Sequence, residues 1–183
     1  MEERKEESEN GDGFIQGNIP LIINSYVDIF SSFDSRSLSE KALSVDFISE
    51  VKRAARDRSE EGLEVVISVP KERRNLGDEF KIKKRLREHF HKHFIEKERE
   101  MNKIKKEGFW WVVLGVVVLL GVLFGLVNLE GTTIGLMLPI LEIPCWFLIW
   151  EGMGKILLDS RKIEPDFLFY KKMANASIIF KGY

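Results

Sequence analysis

All three histidines of this 183-residue chain fall in one short segment, as His89, His91 and His93 of REHFHKHFIEKE. On a helix His89 and His93 share a face, and Glu96 falls on that same face. Two imidazoles and a carboxylate are a plausible ligand set for a transition metal. His91 points elsewhere, so three imidazoles on one ion is poor geometry. A solvated flank beside Phe90 and Phe94 accounts for the same residues. A strong site would need a second copy to bring two such faces together.

Glu142 is the second position with chemistry to explain, because it interrupts an apolar stretch. It lies about ten residues from the outer end of that stretch, hence roughly 15 Å deep if the stretch is a membrane helix. An ionised carboxylate there costs at least about 3 kcal/mol. Neither apolar stretch holds a base to pair with it. The side chain must be protonated, paired or facing a wet cavity. One reading is a proton or cation path through an oligomer. The other is a neutral acid hydrogen-bonded to a carbonyl freed by Pro139 or Pro144, since a proline has no amide to bond four residues back, here to Gly135 and Ile140.

Other chemistry is sparse. Asp34 and Arg36 lie in a turn, where they could hold a ligand or each other. Cys145, the one cysteine, lies in the second apolar stretch and reads as a small packing residue. The chain has no Ser/His/Asp set, no CxxC and no glycine-rich dinucleotide fingerprint, and Pro70–Gly77 does not match a P-loop. The residues therefore argue against an enzyme, and no cofactor is expected. The bases of Lys81–Lys106 alternate with acids and the net charge is −1. Those bases could touch anionic lipid headgroups, but the alternation fits a charge-laced solvated helix face better, and nucleic-acid binding is the weakest reading.

The elements that position these residues are dominated by residues 109–158. Phe109–Val127 reads FWWVVLGVVVLLGVLFGLV with no polar interruption. About 19 residues at 1.5 Å each cover the roughly 30 Å of a bilayer core. Asn128–Gly131 break the run, and a second apolar stretch runs from Thr132 to Trp150. The pattern predicts a transmembrane hairpin over 108–158 with spans at about 109–127 and 132–150. Lysines and arginines precede the first span and follow the second, while the turn carries Glu130 and no base. By the positive-inside rule both termini are cytoplasmic and the location is the plasma membrane. Trp110, Trp111 and Trp150 sit where an inner aromatic belt belongs. Gly121-x-x-x-Gly125 is a small-xxx-small pattern for close helix packing.

The rest predicts a small α/β domain. Residues 1–18 read as a disordered polar tail, and 19–107 as the cytoplasmic domain with a stalk helix. A strand is expected near 25–31, with Pro20 pushing the preceding piece to an edge or loop. Ser37-Leu38-Ser39-Glu40 matches a capping box for a helix to about Arg58, burying Leu43, Phe47, Val51 and Ala54 or Ala55. Leu63–Val69 alternates as a strand, which suggests a βαβ unit with parallel strands. Asp78 can cap a long helix to about Glu107, which can run straight into the first span as a rod of about 50 residues, with Gly108 as a candidate hinge. Residues 159–183 return the chain to the cytoplasm, start a short helix at Pro165 and end in a strand at 176–181. Both ends of the chain are then expected in one sheet.

The order of these parts resembles a family of uncharacterised prokaryotic two-span integral membrane proteins. SSFDSRSLS at 31–39, VVISVP at 65–70, LEIPCWFLIWE at 141–151 and the terminal ASIIF carry the likeness. Relatives often have proline where this chain has Ser35. The resemblance implies the two-span architecture and no activity.

The expected fold class is therefore an α+β membrane protein, with a two-helix hairpin inserted in a small cytoplasmic βαβ-type domain. The expected partners are the lipid bilayer, further copies in a homo-oligomer and a protein at the cytoplasmic face. The leading function is a self-associating scaffold or sensor. The alternatives are a proton or cation channel using Glu142 and a metal-responsive module using His89 and His93.

Overall fold

The computed structural model describes residues 17–56, 58, 62–128 and 132–183, with side chains for all of these except 126–128, 132–139 and 141. The chain divides into two compact units, residues 1–91 with 171–183, and residues 92–170.

The first unit is built on a parallel three-stranded sheet in the order β1 (Asn18–Ile22), β2 (Glu64–Val69), β3 (Ser177–Gly182). The first and last strands of the chain thus share the central one, as expected. The register aligns Ile19, Val65 and Ile178, then Leu21, Ile67 and Phe180. These rows share one face because strand side chains alternate with period 2. Val65, Val66, Ile67 and Val69 are all buried, the pattern of a central strand in a parallel sheet. β1 is an edge strand, and this is what admits Pro20, which has no N–H to donate. The core is completed by Ile29, Val51 of α1 (Val45–Ala55), Ile82, Leu86 and Phe90 of α2 (Leu76–Asn128), and Met173 of α4 (Ser160–Asn175).

Two local expectations are corrected here. The strand expected at 25–31 is instead a 3-10 turn, Tyr26–Ile29, and the strand lies earlier, at Asn18–Ile22. Asp28 causes the turn: its Oδ2 accepts hydrogen bonds from the backbone N–H of Asn24 (3.0 Å) and Ser25 (2.9 Å), an alternative to a sheet ladder. The helix expected from Ser37 starts only after Ser44. Residues 37–41 form a turn in which the Ser37 carbonyl accepts from Glu40 and Lys41. Beyond it the chain stays extended, since Phe30 and Leu43 form an antiparallel bridge and Ser31 N–H donates to Ala42 O. α1 still buries Phe47, Val51 and Ala55, as the periodicity predicts, while Leu43 lies ahead of the helix. α1 ends at Ala55, three residues before the expected end at about Arg58. Gly62 then turns the chain into β2 with φ +67°, a conformation that favours glycine.

The second unit is helical. α2, which begins in the first unit, spans 53 residues and runs through Gly108 as one helix into the apolar stretch, the continuous course that the sequence allows. Asn75, not Asp78, caps it, with Oδ1 accepting from Gly77 N–H at 2.9 Å. α3 (Thr132–Gly154) continues through a π-helical turn, Lys155–Asp159, directly into α4. The short helix expected from Pro165 therefore begins five residues earlier and holds Pro165 in its interior. The unstructured tail expected over 1–18 lies outside the described residues up to Gln16, while Asn18 begins β1.

Candidate functional site

Glycine sets the geometry of the helical unit. A Cβ on Gly108 would lie 2.7 Å from the Gly152 carbonyl oxygen, and one on Gly152 would lie 2.6 Å from that of Gly108. A Cβ on Gly115 would lie 3.0 Å from the Cys145 carbonyl oxygen and 2.7 Å from Ile149 Cγ1. Numbers rise along α2 as they fall along α3, so the two helices pack antiparallel at a separation only glycine allows.

The contact stripe repeats every seven residues. Met101, Gly108, Gly115 and Val122 are buried on α2, and Cys145 and Gly152 on α3. A heptad is the period of a left-handed helix pair. The next buried position on the returning helix is Ser160, eight residues on rather than seven. The π turn supplies that extra residue. Ser160 Oγ donates to the Ile156 carbonyl oxygen within this turn. Beyond it the pairing resumes, with the rings of Phe94 and Phe167 5.8 Å apart and those of His93 and Tyr170 5.2 Å apart.

The outer surface of this helix pair is apolar. Trp110, Val117, Leu120 and Phe124 of α2 are exposed, as are Ile143, Trp146, Phe147 and Trp150 of α3, the last at 75 %. A soluble protein rarely leaves so continuous an apolar surface open to water. Among the described residues one helix, α2 over Leu76–Gly125, is long and apolar enough to cross a membrane. The second expected span falls in α3, where the side chains of 132–139 and 141 lie outside the described residues. The Gly108–Gly152 contact brings the Trp110–Trp111 pair and Trp150 to similar levels.

No family model matches this chain, and no curated protein and no solved structure is similar to it.

The expected site residues separate into distinct environments. Glu142 is exposed on α3, where its Oε1 accepts from the Trp146 indole N–H at 3.4 Å. Pro144 is exposed beside it, and the side chain of Pro139 lies outside the described residues; α3 runs through both positions as helix. Gly121 is exposed with open space where its Cβ would be, whereas Gly125 is buried. Among the described residues the close approach of backbone to backbone is made by Gly108, Gly115 and Gly152. Their signal was the seven-residue spacing, Gly108 to Gly115 and Cys145 to Gly152, rather than the four-residue one. His93 Nδ1 lies 2.8 Å from Glu96 Oε2, while the His89 ring meets Phe90 edge-on at 5.6 Å. Among the described residues no three His, Cys, Asp or Glu side chains are grouped to hold a metal ion.

Asp34 and Arg36 bond each other. The guanidinium donates to both carboxylate oxygens, and Asp34 Oδ2 also accepts from Ala42 N–H at 2.7 Å. The Arg36 guanidinium beside it holds the Asp34 carboxyl well below its ordinary range. The pair closes the loop between Ser31 and Ala42.

A polar cluster that sequence reasoning missed lies at the carboxyl ends of the strands. Arg74 donates to both oxygens of Glu79, at 2.8 and 3.0 Å, and Tyr26 Oη donates to Glu79 Oε1 at 3.0 Å while accepting from Asn75 N–H. Glu79 is only 4 % exposed. The Arg74 hydrogen bonds lower its pKa, whereas burial raises that of the Tyr26 phenol. Tyr26 also meets the Phe180 ring edge-on at 5.9 Å, so the cluster locks β3 and α2 to the turn after β1. Every polar atom of its carboxylate is used, and the arrangement is structural.

Proposed function

We propose that this chain is an integral membrane protein whose helices α2 and α3 cross the bilayer together as a two-span hairpin. Both termini lie on the cytoplasmic side, and the protein works as a self-associating scaffold or sensor that presents its α/β unit there. The observation that carries this reading is the exposed apolar surface on both helices of the glycine-lined pair, banded by Trp110, Trp111 and Trp150. In water that surface is a large penalty; in lipid it is the required solvent-facing surface. The distribution of lysine and arginine supports the orientation.

Self-association is supported by Glu142. Its side chain is exposed at the flank of the helix pair, about 12 Å along α3 from Trp150 and therefore well inside the hydrocarbon region. A carboxyl group on such a surface is stabilised by a polar partner that excludes lipid, and a second copy supplies one. The test is the mass of the full chain in lipid nanodiscs. A defined oligomer is expected, and a monomer at all protein-to-lipid ratios would overturn self-association. Conduction through Glu142 would further need several copies arranged around it.

A further inference from the structure

We infer that the outward face of α2 just inside the tryptophan band is a binding groove for an anionic phospholipid of the cytoplasmic leaflet. The inference rests on the membrane reading above and names a specific ligand class for it.

Arg99, Lys103, Lys106 and Trp110 follow one another at spacings of four, three and four, which puts them in one stripe along the helix. The stripe is opposite Met101 and Gly108, which face the returning helix, so all four side chains are exposed. With Asn102 and Glu107 they line an open groove of about 560 Å³. Among the described residues Arg99 and Lys106 have no ion-pair partner, and Lys103 reaches Glu107 only at 3.9 Å. Three cations against one acid leave the groove positive.

The groove does not end at Trp110. Glu107 and Trp110 also line a second, adjoining groove of about 250 Å³ with Trp111 and Leu114. A cationic compartment thus opens onto an apolar one along the same helix. A free phosphate would use only the first. A phospholipid uses both, with its anionic head among Arg99, Lys103 and Lys106 and the start of an acyl chain along Trp111 and Leu114. Guanidinium and ammonium groups are the usual donors to phosphate oxygens, and juxtamembrane bases add affinity for anionic leaflets.

The experiment uses the full chain in mild detergent, with thermal unfolding followed as phosphatidylglycerol, phosphatidylcholine or inorganic phosphate is added. Phosphatidylglycerol is expected to raise Tm, and the other two are not. The variant R99Q/K103Q/K106Q should need on the order of 100-fold more phosphatidylglycerol for the same rise. A control variant, K81Q/K84Q/K92Q, removes three bases elsewhere on α2 and should respond as the native chain does. Equal responses to the two lipids, an equal response to phosphate, or an unaltered response of R99Q/K103Q/K106Q would each overturn the groove. Flotation of each protein with phosphatidylcholine vesicles separates this from the membrane reading. If the native chain fails to float, the membrane reading falls; if it floats but its Tm shows no preference among the lipids, only the groove does.

Discussion

Gly152 stands so close to Gly108 that a Cβ on it would lie 2.6 Å from the Gly108 carbonyl oxygen, a distance no real side chain tolerates. The obstacle is backbone, which cannot swing aside as a side chain can. This contact, with the one at Gly115, sets how near α2 and α3 come.

Substitution at that contact should separate the helices. Gly152→Leu is expected to destabilise the chain by about 1–3 kcal/mol through overpacking. Gly121→Ala, in open space, should be neutral or stabilising by up to about 1 kcal/mol through helix propensity. Thermal unfolding of both variants in the same detergent checks the pair, and similar losses at the two positions would refute the glycine-set spacing.

Glu79→Gln keeps the shape of the side chain but removes the charge that Arg74 and Tyr26 share. The loss of charge-assisted hydrogen bonds at a buried acid should cost about 1–3 kcal/mol. Tyr26→Phe removes a neutral hydroxyl that donates to Glu79 and accepts from the exposed Asn75 N–H, and should cost less. Chemical denaturation of the full chain orders the two, and an equal loss would show that the charge is immaterial.

Acid should loosen the first unit in a defined direction. Asp34 and Glu79 both have folded-state pKa values below their unfolded ones. Their stabilisation is complete above the ordinary carboxylate range and is lost as pH falls through the folded values. Hydrogen exchange at the Ala42 amide, which donates to Asp34, should accelerate on acidification beyond its intrinsic pH trend. Asp34→Asn should show that faster opening already at neutral pH.

Glu142→Gln tests the exposed acid of α3. A neutral amide keeps hydrogen-bonding capacity but cannot ionise. If the carboxyl group joins copies as an ionised or proton-sharing acid, the nanodisc assembly should shift to smaller species, and Glu142→Leu should shift it further. Native-sized assemblies from both variants would remove Glu142 from the interface.

Cys145 is wholly buried against Gly115. A maleimide added to the folded chain should therefore react slowly, and rapidly once the chain is unfolded. Rapid labelling without unfolding would contradict the α2–α3 contact.

What the sequence determined by itself was whatever depends on local pattern. The apolar run of Phe109–Val127 announces a long apolar helix, and the alternation of Leu63, Val65, Ile67 and Val69 announces a strand, while its central place, with Val66 buried as well, came from the sheet. The i, i+4 spacing of Phe47, Val51 and Ala55 marks the inner face of α1. Capping and turn signals were less decisive. Ser37 and Pro165 both look like helix starts, yet the Phe30–Leu43 bridge keeps the first region extended, and the pairing of Met101 and Phe94 with the returning helix carries α4 back through Pro165.

Only the tertiary structure decided which glycines touch, because a glycine's role depends on what stands opposite it. Gly121 and Gly108 look alike in sequence, yet one faces open space and the other a carbonyl oxygen. The same reasoning explains the π turn, which realigns Ser160 after the stripe set by Gly152, and the Tyr26–Arg74–Glu79 cluster, whose members are as much as 53 positions apart. Periodicity along one helix records which face is apolar. Register between two elements exists only once both are packed.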